Sequence, residues 1–561
     1  MKMALKLRWI WAACLAAGLG IGLWASDWAS TSGNPQRDGW SQGETKLSKA
    51  AIANGQVKLL YKIHFDNQPA GLQALTAPID LSNIIGYQGF RELLFIGGSG
   101  NAVYSLDSVV GQPYFHTAFE AQASAANDPA TVACPGGLTA NVAMSGNSGV
   151  ARGFFAPPPP PAARRGAAAA ARGAAGRGAA RRGGGRFGRG PAVLWAVSSD
   201  GYLRTLRQED GNATWIAPTP FVPAGSRVSG LNVNDNVIYA ATINDCGGHP
   251  NGLFAAQFTP PVLATMPGQP FVKAPSFAIA AFLTNGSGFS GSGGTAIGSD
   301  GTVYGQVASG HGDVAGAYHD SVLALDPQTL LVTDYFTPEG AEPSLEPGVT
   351  PSGVTPAYFD WNGKRLLVAA DSAGHLYLLD AAQLGGANHH TPLYRSPQVV
   401  NPSAGVWGAF ATAQQGDARW VYAAIHGPAV MKFPVENGAT PQGAIVAFKI
   451  ESHNGHPELA PQWISPGMIS PAAPITANGL VFALSTGVTP RIGKSTTVAE
   501  VEKSARPATL YMLDAASGKP LLTSGNTATT FATTGIAVAN GRVYFTTHDD
   551  NLYAYGIPTI R

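Results

Sequence analysis

Charge is what this chain has least of. Asp, Glu, Lys and Arg together make up 12% of its 561 residues, and the net charge is +1. No global basic field exists, so specific nucleic-acid recognition is excluded as a function class. Cysteine is scarcer still, with Cys14, Cys134 and Cys246 alone. No two are adjacent, and no C-x-x-C-H run exists for covalent haem. A G-x-x-x-x-G-K-S/T phosphate loop is absent, as is a G-x-S-x-G elbow between a strand and a helix. The Gly/Ser run from Gly286 to Gly294 leads into a strand and reads as a loop. One stretch lacks a whole charge sign. From Arg152 to Arg189 there are nine Arg and no acidic residue, which leaves about −8 over the rest of the chain.

Glycine and proline, by contrast, are plentiful, at 70 and 42 residues. Low charge with many turn residues fits short strands joined by loops. The C-terminal stretch from Ala508, ATLYMLDAASGKPLLTSG, carries an apolar run closing on Leu513-Asp514 and then Gly518. The same unit recurs as AVYSLDSVVGQPYF from Ala102, SVLALDPQTLLVTDYF from Ser321 and HLYLLDAAQL from His375. Such a unit, returning roughly every 50–70 residues, cannot bury its own apolar face and must stack on its copies. Since the unit is all strand, the array is expected to be an all-β, eight-bladed β-propeller of four-stranded blades, with seven blades as the alternative. Asp-Gly and Asn-Gly turns at Asp300-Gly301, Asn362-Gly363, Asn478-Gly479 and Asn540-Gly541 join the first two strands of their blades. The last blade runs out of chain after NLYAYG, one strand short. VKLLYKIHF, from Val57, can supply that strand and close the ring. The third blade is irregular, with a weak fourth strand expected near PVLATM.

Residues 1–25 read as a secretory signal peptide. Lys2, Lys6 and Arg8 precede 16 residues of apolar run, and Ala25 and Ser26 supply small residues. The run is short for a spanning anchor, which is the alternative. Cys14 falls in the discarded peptide. Residues 26–561 are then a single propeller, with 157–190 as a disordered Pro/Arg/Gly/Ala-rich insert. That insert reads either as an enlarged spacer or as a cationic tether. An exported monomer, periplasmic or secreted, is expected.

In a propeller the loops fall on two faces. Connections between blades share one face with the loops joining each blade's second and third strands. Cys134 precedes the innermost strand of blade 2, and Cys246 lies in the second-to-third-strand loop of blade 3. Both sit on that face in adjacent blades, so a disulfide is expected in an exported chain, with two buried thiols as the alternative. The long loops gather on the same face, where binding usually sits. One of them carries His311, Asp313, His319 and Asp320, residue types that bind divalent metal, although the spacing is no tight ligand motif. They read equally well as solvated loop residues. Trp407, in GVWGAFATA, is expected on an innermost strand, either stacking on a planar cofactor or packing between blades.

Units such as LYMLDAASGKPLL, with GNPQRDGW from Gly33, resemble the pyrroloquinoline-quinone-like (PQQ-like) β-propeller repeat family. The resemblance covers nearly all of the chain outside the leader and the insert. It implies the propeller fold and two branches of function. Quinoprotein alcohol and glucose dehydrogenases bind the quinone on the propeller axis with Ca²⁺ held by Glu, Asn and Asp, and use an Asp as base. Its other branch is a non-catalytic platform of the outer-membrane assembly type. Innermost strands here, such as GGLTANVAMS, GVTPAYF and TTGIAVANG, contain no Asp or Glu. The expectation is therefore a non-catalytic binding or scaffold propeller for an envelope protein or glycan. A PQQ- and Ca-dependent dehydrogenase of alcohols or sugars is the alternative.

Overall fold

The computed structural model describes residues 26–559, except 69–70, 73, 86–88, 123, 125–126, 145–192, 262–273, 285, 287, 290, 309–317, 341–352, 403–404 and 490–494. The leader, the whole of the insert, His311 and Asp313 thus lie outside the described residues. Eight antiparallel sheets form the blades. Blade 7 is representative: Ile475–Ala477, Leu480–Ser485, Thr509–Asp514 and Pro520–Thr523 pair in order from the axis outward. Second and third strands are mostly buried because neighbouring blades cover both faces, and Leu480–Ser485 is buried along its whole length. Outer strands are partly exposed.

Blade 8 closes the ring as expected. Its own strands, Ala537–Ala539, Arg542–Thr546 and Asn551–Gly556, take Lys58–His64 as their outermost partner. Lys58 faces Gly556 and His64 faces Asn551. Three details differ from the sequence reading. Blade 1, whose sequence pattern offers only RELLFIGG, AVYSLDS and PYFHTAF, has a further innermost strand, Ile79–Gly86, inside Gly89–Gly98. In blade 2 the innermost place is held by one bridge between Ala143 and Trp195. Blade 3 takes Ser276–Leu283 as its outer strand, and the expected stretch near PVLATM lies, past Pro261, outside the described residues. Ser276–Leu283 pairs without a slip against Gly252–Thr259, whereas the earlier stretch is punctuated by Pro261, Pro267 and Pro270, which lack the donor a ladder needs.

The repeated Leu-Asp-x-x-x-Gly has a local cause. Asp514 Oδ1 accepts from the amides of Ala516 and Ser517, and Gly518 N–H returns to the Asp514 carbonyl. This fixes the tight turn between the third and fourth strands. Gly518 has φ +70°, and a Cβ there would lie 2.3 Å from the ring of Trp463 in blade 6. Trp463 is fully buried and donates Nε1–H to the Ala515 carbonyl at 3.0 Å. Phe115 of blade 1 lies over Gly211 of blade 2 in the same way, and Tyr61 of blade 8 over Gly111 of blade 1. Blades 6, 8 and 1 thus each hook onto the next through an outer-strand aromatic.

Residues 28–44 form a belt around the axis. Trp28 exchanges backbone hydrogen bonds with Asp80 of blade 1, and Thr31 donates to Asn141 beside blade 2. Pro35 O accepts from Asn232 Nδ2 of blade 3 and from Ile297 N of blade 4. Gln36 O, Asp38 O and Gly39 O accept from Tyr358, Thr412 and Thr476 of blades 5, 6 and 7. Ser41 and Glu44 reach Val538 and Gly541 of blade 8. The GNPQRDGW run is therefore the part of the chain that touches blades in turn around the ring. Gly39 (φ +62°) is required there, since a Cβ would sit 2.8 Å from Ala411 Cα.

Candidate functional site

With the belt as its floor, the axial channel becomes a cup. Its cavity of about 340 Å³ has Trp28, Thr31 and Ser32 at the bottom. The wall comes from the starts of innermost strands and the ends of second strands, including Val228, Asn244, Trp407, His426, Val488 and Ile536. The cup therefore faces the side of the long loops.

That side carries a built rim. The blade 7 loop contains the short helix Val498–Ser504, closed by a capping box between Thr497 and Glu500. Thr497 bridges Thr131, and Val132 N–H donates to Thr496 O at 3.1 Å. Leu72, Val132, Val488, Val501 and Phe531 pack into a small cluster under this arch. From there the rim passes to blade 3 through a disulfide between Cys134 and Cys246, whose Cα atoms are 5.6 Å apart. The face argument from sequence holds here.

Among the described residues one full charge lines the cup, the guanidinium of Arg227 at the start of blade 3's innermost strand. Its Nη1 donates to the carbonyls of Val132 (2.8 Å) and Ala133 (3.3 Å) on the rim. Nε and Nη2 have no protein acceptor among the described residues. Burial pushes the group down to about 10, so it stays cationic at neutral pH. His426 lies parallel to Trp407, with ring centroids 5.3 Å apart. Its Nε2 is 3.0 Å from the Pro471 carbonyl, so Nε2 carries the proton. Burial lowers His426 to about 4, and the hydrogen bond to Pro471 opposes this only partly. The imidazole is neutral at physiological pH, and the cup carries a net positive charge.

Trp407 lies just before the innermost strand of blade 6, Ala411–Gln415, rather than on it. The turn into the blade is taken by Gly408–Ala409, which pairs in parallel with Val354–Thr355. Trp407 nonetheless reaches the cup wall. Asp320 is buried and accepts from Ser372 of blade 5. Burial raises its carboxyl to about 6. It is thus committed to a contact between blades, and neither it nor His319 lines the cup. Among the described residues no group of three or more His, Cys, Asp or Glu is arranged to hold a metal. Arg227 was not singled out by the sequence reading. Its signal was a lone Arg opening an innermost strand in a chain whose innermost strands are poor in charge.

A calcium-bound quinone on the axis requires several oxygen ligands around the ion, carboxylates among them. Among the described residues the cup lining holds hydroxyls, amides, apolar groups, the His426 imidazole and the Arg227 guanidinium, and no Asp or Glu. These residues do not fit the group.

No helix among the described residues is long and apolar enough to cross a membrane. Neither a protein-family profile nor a curated protein sequence matches the chain. Solved structures do match in shape. A quinohemoprotein alcohol dehydrogenase from Pseudomonas putida HK5 aligns over 96% of this chain and 81% of its own, at 12% identity and TM-score 0.56. A europium-containing methanol dehydrogenase aligns over 94% and 89%, at 12% identity and TM-score 0.52. The quinohemoprotein alcohol dehydrogenase of Comamonas testosteroni aligns over 96% and 81%, at 10% identity and TM-score 0.50. At such identities the likeness is one of fold: the chain is a propeller of the PQQ-like architecture.

Proposed function

We propose that this chain is an exported, cofactor-independent binding propeller of the cell envelope, working as a monomer through the face onto which the axial cup opens. The observation that carries this reading is the cup lining, which among the described residues holds one guanidinium, many hydroxyls, an apolar wall and no carboxylate. A quinoprotein needs carboxylates on the axis both for calcium and for a base. A binding site needs a concave, mostly apolar pocket with a few placed polar groups, and the cup has that character. The Cys134–Cys246 disulfide supports an oxidising compartment. An envelope protein or a glycan presenting a side group to the cup is the partner class this favours.

The test is a titration of the purified protein with pyrroloquinoline quinone and Ca²⁺, following the melting temperature and the quinone absorbance. The expected result is no calcium-dependent shift at saturating quinone. A calcium-dependent rise in melting temperature, with a matching absorbance change, overturns the reading in favour of a dehydrogenase.

A further inference from the structure

Arg227 is a cation without a counter-charge. Among the described residues no carboxylate lines the cup, and burial alone accounts for the depression of its pKa. A guanidinium offers five N–H donors in a planar fork. Here Nη1 is fixed by the Val132 and Ala133 carbonyls. What remains is the edge formed by Nε and Nη2, two parallel donors that match the two oxygens of a carboxylate. The rest of the wall is neutral. His426 is held uncharged and adds no second cation, so one monoanion balances the site while a dianion leaves an uncompensated charge in a partly desolvated cup. Val228, Ile243, Val488 and Ile536 offer apolar surface to a ligand body. About 340 Å³ lies at the small end for ligand pockets.

We infer that the cup binds a small monocarboxylate with a compact apolar body, the carboxylate taken side-on by Nε and Nη2 of Arg227. The inference deepens the binding-propeller reading and rests on it. The ligand is either a free small acid or the carboxylate-bearing group of a larger envelope molecule, and the cup reads the same chemistry in both.

Isothermal titration with benzoate, benzamide and inorganic phosphate as probes tests it. The purified protein should bind benzoate at least about 10-fold more tightly than the isosteric neutral benzamide, and phosphate more weakly than benzoate. R227Q should weaken benzoate by about 10- to 100-fold and leave benzamide unchanged. R227K, which keeps the charge but loses the paired edge, should fall between. It also serves if R227Q melts too low to be measured. Equal binding of benzoate and benzamide, tighter binding of phosphate, unchanged benzoate affinity in R227Q, or no benzoate heat at millimolar concentration each overturns the assignment. None of these outcomes depends on the quinone titration, so the carboxylate assignment can fail while the binding-propeller reading stands.

Discussion

Arg37 Nη2 donates to the carbonyl of Leu231 at 2.7 Å, across 194 residues of sequence. The side chain is fully buried, and its other nitrogens donate to Gly293 O, Thr31 O and Ser30 Oγ. One guanidinium thus ties the belt to blades 3 and 4 with no carboxylate partner. Burial pushes it down to about 9, so it remains charged at neutral pH, held by carbonyl dipoles.

Arg37→Met is therefore expected to lower the unfolding free energy by roughly 3 kcal/mol, because several buried carbonyls lose their donor at once. The urea midpoint measures this. A loss below about 0.5 kcal/mol, the range of ordinary surface substitutions, would show that the belt is not anchored at this point.

How much of this was legible in the sequence follows from the range of each interaction. Strand identity, the Asp-capped turns and ring closure by Lys58–His64 rest on local pattern and on one missing strand, and all could be read. The Cys134–Cys246 bridge needed only the rule for which loops share a face. The belt was visible as GNPQRDGW, but its role depends on partners at Leu231, Tyr358, Thr412 and Thr476 that no local pattern marks. Arg227 escaped for a similar reason. A strand-initial Arg looks solvated until the rim carbonyls of Val132 and Ala133 are seen to hold it over the cup. The outer strand of blade 3 was missed because proline-punctuated sequence separates it from its partner.

The disulfide closes a loop with a sequence separation of 112 and holds the rim that carries the Arg227 contacts. Replacing both Cys134 and Cys246 by Ala is expected to cost about 2–4 kcal/mol. Reductant should lower the melting temperature of the native protein and leave that of the double variant unchanged. Equal sensitivity of the two to reductant would rule out the bridge as the cause.

Stability should also depend on pH through Asp80, where blade 1 meets blade 8. Its carboxyl is fully buried, Oδ1 has no hydrogen-bond partner, and Tyr544 Oη lies 3.5 Å from Oδ2. Burial, reinforced by nearby Glu92, raises it to about 7, against the pull of Arg542. The folded state then holds a proton that the unfolded chain releases near pH 4. For this group stability is highest below about pH 4, falls as pH rises to about 7 and is level above that, with a total on the order of a few kcal/mol. Asp80→Asn should remove that fall. Unfolding free energies of the native protein and of D80N, measured from pH 5 to pH 8, should converge at the acidic end. Parallel curves would mean that Asp80 is already ionised in the fold.

Residues 28–44 floor an axial cup, and the cationic edge of that cup is the proposed ligand site. A crystal structure of the protein grown with benzoate at near-neutral pH tests it most directly. Trp28, Thr31 and Ser32 should lie in place beneath the ligand, with the benzoate carboxylate against Nε and Nη2 of Arg227. A belt displaced from the channel, or benzoate bound only away from Arg227, would contradict it.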